Sequence, residues 1–233
     1  MTTTAFPRTA TVRIRPALRL AGVIGALVAT LMALAWAPPD AIQGEVQRIM
    51  YVHVPSAWTA YVAFLVVFLA SVGWLWTKRP VFDAIAVASA EIGVLFTGLA
   101  LLTGSLWAKP TWGVWWTWEP RLLTTAVMFV MYIGYLLLRS ISTDLERRAS
   151  RAAVVGIVAV VNVPIVHLSV TWMNALHQLP SVLRPGGPAL DDRMLATLLV
   201  SVAAFSLLYA WLVAERVAIE RARQERIVEA RGA

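Results

Sequence analysis

The chain has 233 residues, of which 59% are hydrophobic and only 14% are charged, and its mean hydropathy is +0.71. Because a soluble domain carries about 25% charged residues, this composition indicates a membrane protein. The absence of cysteine excludes disulfides, thiolate catalysis, iron–sulfur clusters and zinc–thiolate sites, and the net charge of +7 is interpreted as a sign of membrane orientation rather than of nucleic-acid binding.

Six apolar runs are long enough to cross a bilayer, which requires about 20 residues in a helix. The first run follows an arginine-containing start and could imitate a signal peptide. We interpret it as a retained helix, because it is too long for the apolar region of a signal peptide and the sequence APPD that follows is not a convincing cleavage site. The predicted fold class is an all-α membrane protein, one integral membrane domain over residues 1–233, with transmembrane helices at about residues 17–36, 56–76, 84–106, 122–138, 152–172 and 194–214.

Six spans place both termini on the same side of the membrane. Fifteen Lys and Arg residues then lie on the side of the termini, and five lie on the other side. The positive-inside rule therefore predicts that both termini are cytoplasmic and that the connectors after the first, third and fifth spans lie outside the cytoplasm.

The connector after the third span is rich in tryptophan. This predicted Trp-rich outer loop at residues 107–121 contains five of the 11 tryptophans of the chain, Trp107, Trp112, Trp115, Trp116 and Trp118. Indole rings favour the membrane interface, so the cluster could be an aromatic belt. Five indoles in one connector exceed what a belt at a helix end needs, and they favour a large flat ligand held by stacking and edge contacts.

The three histidines of the chain all fall near this predicted outer face. His53 lies where the second helix begins, His167 lies inside the fifth span, and His177 lies in the connector that follows. A lone histidine near a helix end is more often a hydrogen-bonding residue than a ligand. Near the tryptophans, however, the histidines favour a metalloporphyrin, whose iron can take one imidazole from each side. A zinc site is disfavoured, because two histidines and one carboxylate on separate helices form no ligand spacing. The cations on this side that could bind porphyrin propionates are Arg48, Lys109, Arg121 and Arg184.

Two carboxylates and one interrupted helix leave alternatives open. Glu119–Pro120 either starts the fourth helix, with the carboxylate favoured by the helix dipole, or orients a ligand or a partner's reactive group. Glu91 is a polar contact to another helix or to another subunit. Asn162 and Pro164 produce a packing kink in the fifth span, or they aim His167 at a cavity.

The segment WGVWWTWEPRLLT resembles the tryptophan-rich signature of the haem-handling protein superfamily, which is close to WGxWWxWDxRLT. The sequences YVHVPSAW around His53 and NVPIVHLSVTWMNALHQ around His167 resemble the cytochrome c maturation protein C (CcmC) family. The resemblance runs from about Arg48 to Gln178. Glu119 stands where the signature has Asp, and Leu123 stands where it has Thr.

This resemblance implies a protein of the bacterial inner membrane that binds haem b (iron protoporphyrin IX) at the outer face. It implies delivery of haem to a periplasmic haem chaperone, cytochrome c maturation protein E, beside an ABC transporter complex, for c-type cytochrome biogenesis. His53 and His167 are implied to be the axial ligands of the haem iron, whereas His177 is not. The residues implied to form the haem platform are Trp112, Trp115, Trp116, Trp118, Glu119 and Arg121.

The resemblance leaves open whether the protein is an enzyme. It would promote covalent attachment of haem to the chaperone, as a haem lyase does, but the chain has no hydrolase or NTPase motif. The alternatives are a haem exporter that moves haem across the membrane, a subunit of a direct cytochrome c synthase, and a structural subunit whose tryptophans form only a belt. All three histidines lie in the outer half, which argues against a ladder of ligands through the bilayer.

Overall fold

Seven α-helices make up the computed structural model, which describes residues 8–173, 176–177 and 181–232. A π-helical turn, Met32–Trp36, continues the first helix, and a 3₁₀ turn, Glu45–Ile49, precedes the second. Six spans are long and apolar enough to cross a membrane, the fifth of them built from two helices, and this confirms the all-α membrane class. The helices are α1 (Arg8–Leu31), α2 (Met50–Thr77), α3 (Pro80–Trp112), α4 (Pro120–Ser140), α5 (Leu145–Ala159), α6 (Asn162–Trp172) and α7 (Asp192–Gly232).

The predicted loop at residues 107–121 is wrong at both ends. The apolar run stops at Leu106, but α3 continues to Trp112 and ends where Gly113 takes up the left-handed conformation, with a φ of 78°, as helices commonly do. α4 begins at Pro120, a residue favoured at the first helical position. Two of the five clustered tryptophans therefore belong to α3, and the non-helical stretch is shorter than predicted.

The predicted spans lie within the observed helical segments, but several helices extend further. α2, predicted at 56–76, begins at Met50 and contains Pro55, because neighbouring helices in a membrane bundle can compensate for the hydrogen bond that proline lacks. α7, predicted at 194–214, continues to Gly232, since its last turns are rich in Arg, Glu and Ala, which are strong helix formers.

The fifth predicted span is broken, as Asn162 and Pro164 indicated. α5 ends at Ala159, and α6 begins at Asn162 after a turn. The side-chain amide of Asn162 donates to the carbonyl of Thr124 at 2.9 Å, so the break is anchored to α4. α5 packs against both α2 and α4, and α6 continues along α4.

The helices α2, α3, α4 and α5 form a ring, and α7 packs on its outside, with α1 against α7. The ring is filled by a core in which Phe64 and Tyr132 stack with their centroids 3.6 Å apart. Arg15 of α1 and Glu215 of α7 form an ion pair at 3.1 Å. The start of the first span and the end of the last span therefore lie at the same end of the bundle, as six spans require.

A buried ion-pair cluster lies at the end of the bundle opposite the Trp-rich segment. Arg139 binds both carboxylate oxygens of Asp83, at 2.6 and 2.9 Å, and Arg148 binds Glu220 at 3.1 Å. Gln224 donates to Asp83 at 3.2 Å. These residues come from α3, α4, α5 and α7, so the cluster joins four helices at one point.

Glu91 makes its polar contact within the chain. Arg216 of α7 donates to both of its carboxylate oxygens, at 2.6 and 2.8 Å. Of the two alternatives open for Glu91, the structure shows contact with another helix.

Candidate functional site

A cavity of about 660 Å³, the main cavity, lies among α2, α3, α4 and α6. A second cavity of about 320 Å³, the end cavity, lies closer to the Trp-rich end of the bundle. Their volumes fall in the range of about 300–1,000 Å³ typical of ligand sites. All three histidines line the main cavity. The residues that line both cavities are His53, Val54, Gly104, Arg121 and His177.

The ring of His53 is held in one orientation by residues of α3. Its Nδ1 lies 3.0 Å from the carbonyl of Ala100 and 3.1 Å from the hydroxyl of Thr103, and its edge meets the ring of Trp107 at 5.8 Å between centroids. The carbonyl can only accept, so Nδ1 carries the proton and Nε2 keeps its lone pair. Hydrogen bonding of this kind orients a histidine as a metal ligand.

Gly104 provides the space for this ring. A Cβ built at Gly104 would lie 3.0 Å from Cε1 of His53 and 3.4 Å from its Nδ1. A side chain at this position would therefore push against the imidazole.

His177 reaches the same space from the connector before α7. Its Nδ1 lies 2.9 Å from Oε1 of Glu119, although the contact lacks regular hydrogen-bond geometry, and its ring meets the edge of Trp112 at 5.1 Å. Burial, and then the positive charge of Arg121, lower the pKa of His177 to about 4. The imidazole is therefore neutral at neutral pH, which is the form that binds metals.

His167 lies on the rim of the main cavity and is exposed. Its ring meets the ring of Tyr61 on α2 at 6.2 Å. Its backbone carbonyl accepts a hydrogen bond of 3.4 Å from Arg121. The predicted ligands His53 and His167 thus line one cavity, together with a third histidine.

The tryptophans of the predicted platform divide into two groups. Trp112 lines the end cavity beside Trp107. Trp115 and Trp118 lie at the surface, with 55% and 79% of their area exposed, and Trp116 contacts Trp118 edge to face at 5.9 Å. The structure therefore places α3 indoles in the cavity wall, whereas the indoles after α3 form an exposed aromatic surface.

Glu119 caps α4, as the structural alternative for this residue predicted. Its carboxylate accepts from the backbone N–H of Leu122 at 2.7 Å, and it is buried beside His177. Arg121, two residues after Glu119, lines both cavities.

The other predicted propionate-binding cations lie elsewhere. Arg48 bonds Glu45 and carbonyls at the end of α1, and Lys109 donates to the carbonyl of Gly113 at 2.9 Å. Arg184 is exposed. Of the four, the structure brings Arg121 to the cavities.

The model of one family, described as heme exporter protein C, matches residues 2–231. The chain belongs to the heme exporter protein C family. A protein of that name from Bradyrhizobium diazoefficiens is 45% identical over 202 residues, which cover 87% of this chain and 76% of the relative. One from Haemophilus influenzae is 39% identical over 85% of this chain and 80% of the relative.

A relative of a different origin is also similar. A putative cytochrome c biosynthesis ccmC-like mitochondrial protein from Marchantia polymorpha is 36% identical over 76% of this chain and 75% of its own length. The motif-based resemblance to this family is thereby confirmed.

Several residues of the site in this heme exporter protein C family member were not predicted. Thr103 and Gly104 position the His53 ring, and Tyr61 contacts His167. Gln43 accepts a hydrogen bond of 2.8 Å from the indole of Trp107. Of these, Tyr61 could have been indicated by helical spacing, since it lies two turns after His53 and thus on the same helix face.

We expect Glu119→Ala to destabilise the protein by about 1 kcal/mol, because an N-cap that loses its acceptor costs roughly that much. Glu119→Asp should retain the stability, since Asp is a preferred cap. Thermal unfolding in detergent measures the difference. A Glu119→Ala protein as stable as the unaltered chain would show that the cap contributes nothing.

Proposed function

We propose that this protein binds haem in the main and end cavities and delivers it at the Trp-rich end of the bundle to a partner for cytochrome c biogenesis. The observation that carries the proposal is His53, whose Nδ1 is held by the Ala100 carbonyl and whose Nε2 is left free beside a largely apolar cavity that two further imidazoles also line. A porphyrin supplies four in-plane nitrogens to its iron, so the protein needs to add only axial ligands.

Two histidines compete for the second axial position. The resemblance of the motif around His167 assigns it to that residue, so the predicted pair is His53 and His167. The geometry favours His177, because it shares both cavities with His53, is neutral, and has Nδ1 turned towards Glu119. His167 is exposed at the rim.

The remaining groups of the site would hold and orient the haem. Arg121 supplies a cation where the two cavities meet, which suits a propionate. Trp107 and Trp112 supply flat apolar walls. The exposed rings of Trp115 and Trp118 extend the aromatic surface outwards, where a partner could contact the haem edge.

The direction of delivery follows from the charge distribution. The basic residues concentrate on the side of the termini, so we propose that the Trp-rich end faces the periplasm and that the protein resides in the bacterial inner membrane. The partners are then a periplasmic haem chaperone, cytochrome c maturation protein E, and an ABC transporter complex. The names of the relatives, which refer to heme export and to cytochrome c biosynthesis, support this assignment.

Transport of haem through the bundle is the alternative that the family name suggests. The main cavity ends at Met128, which is buried. Beyond it, the Phe64–Tyr132 stack and then the Asp83–Arg139 ion pair fill the ring of helices. This packing supports handover at one end of the bundle rather than passage along its axis.

Histidine variants test the proposal. We expect His53→Ala to weaken haem binding by at least about tenfold, which corresponds to roughly 1.4 kcal/mol. If His53 and His177 are the ligand pair, as the geometry favours, His177→Ala should have the same effect and His167→Ala should have a smaller one. Haem titration of the purified proteins, followed by the Soret band, measures the affinities.

Two outcomes of the same titration would contradict these expectations. A larger loss for His167→Ala than for His177→Ala would assign the second ligand to His167. An unaltered protein that develops no Soret band with added haem would refute haem binding altogether. Co-purification with the haem chaperone, with and without bound haem, then tests delivery.

A further inference from the structure

In one half of the bundle the helices around the core form a closed ring, and in the other half the ring has a gap between α2 and α6. In the half near the ion-pair cluster, α5 packs on both α2 and α4. After the turn at residues 160–161, α6 follows α4, to which Asn162 is bonded. The main cavity lies in this second half, between the walls of α2 and α6.

One stripe of α2 faces this division. His53, Ala57 and Tyr61 are each four residues apart, so they lie on one face of the helix, and all three line the main cavity. Across from them, Val163 and His167 are also four residues apart on α6 and line the same cavity. The Tyr61–His167 ring contact at 6.2 Å bridges the two helices.

This gap lies at membrane depth. Met128, at the cavity floor, is eight residues into α4, or about 12 Å from its start at 1.5 Å per residue, whereas the hydrocarbon core is about 30 Å thick. Pro164 and His167 of α6 line the cavity and are themselves exposed. The cavity therefore meets the bilayer through its side.

We propose that haem enters the main cavity sideways from the bilayer, between α2 and α6, and that the Tyr61–His167 pair is the gate of this opening. This inference rests on the proposed function. Haem is flat and largely apolar, so it can pass between two helices in contact with lipid and then reach His53. The end cavity, lined by Trp107, Trp112 and His177, leads it onward to the surface. His167 is then the first imidazole that entering haem meets.

A cysteine at Leu65 allows the opening to be obstructed after folding, because Leu65 lies one turn beyond Tyr61 on the same stripe of α2 and is exposed but lines neither cavity. The chain has no cysteine of its own, so a bulky maleimide reacts with Leu65→Cys alone. Haem is supplied from donor vesicles to the protein in nanodiscs, and the rise of the Soret band gives the loading rate. We expect the label to slow loading by about tenfold or more, with the same final amount of haem bound.

The matched control is Ala35→Cys, which lies exposed on the π-helical turn after α1, away from the gap. Its labelled form should load at the unlabelled rate. A labelled Leu65→Cys protein that loads as fast as the unlabelled one would overturn the sideways route, as would equal slowing of both labelled proteins.

Two further outcomes separate the route from the site. A label at Leu65 that lowers the final amount of haem, or expels haem bound beforehand, would mean that it acts on the site itself, and the route would be refuted. If the unlabelled protein never develops a Soret band, the proposed function fails and the route fails with it.

Discussion

Replacing Gly104 by valine is expected to weaken haem binding by about a hundredfold or more, which is roughly 2.7 kcal/mol, while the helical bundle stays folded. The Cβ of the new residue would lie 3.0 Å from Cε1 of His53, and its methyl groups would reach further into the ring. His53 would then lose its bond to the Ala100 carbonyl, and with it the orientation that presents Nε2 to the cavity.

A matched control is available on α4. Gly134 is exposed, and a Cβ there would meet no atom within 4 Å, so Gly134→Val should leave haem binding unchanged. Gly104→Ala should be intermediate, since one methyl group displaces the ring by only a few tenths of an ångström. Soret titration and the helical circular dichroism of each variant measure binding and folding separately. Unchanged affinity in Gly104→Val would show that the orientation of His53 does not matter.

The sequence was sufficient for the spans and for the gathering of histidines and tryptophans at one end of the bundle. Membrane-length apolar runs are a strong signal because the backbone in lipid must satisfy its own hydrogen bonds. The break before His167 was also predictable, since Asn162 and Pro164 both disfavour a continuous helix. These features depend on local sequence, which is why they could be predicted.

The site itself was only partly predictable. His177 lies in a connector without periodicity, so nothing in its neighbourhood indicated that it faces His53 across the cavity. Gly104 and Thr103 are small residues within an apolar run, and their role depends on the ring that packs against them from α2. Such contacts join segments that are distant in the sequence, and spacing along one helix does not reveal them.

The buried cluster of ion pairs was missed for the same reason. Arg139 and Arg148 are two of the fifteen basic residues that the charge count placed on the side of the termini, and both are only 7% exposed. Positive charge near a helix end predicts which side of the membrane a loop lies on, and not whether a carboxylate from another helix will meet it. Glu220 lies in the part of α7 beyond the predicted span.

Asp83→Asn is expected to destabilise the protein by about 3–5 kcal/mol, the usual result of removing one partner from a buried ion pair. The cluster contains two carboxylates and two guanidinium groups. Removing the charge of Asp83 therefore leaves Arg139 and Arg148 with a single carboxylate between them, and one buried positive charge is uncompensated. Replacing both partners, in Asp83→Leu with Arg139→Met, should recover much of the loss, because neither charge then remains buried alone.

The control for Asp83→Asn is the exposed pair of Lys78 and Glu146, whose charged atoms lie 3.8 Å apart at the surface. Glu146→Gln should cost little, since exposed pairs contribute about 0–1 kcal/mol. Unfolding in mixed micelles measures all of these variants. Equal stability of Asp83→Asn and Glu146→Gln would show that the cluster is not what holds the four helices together. The cluster lies at the end opposite the cavities, so the haem affinity of the folded Asp83→Asn protein should not change, which separates a structural defect from a defect of the site.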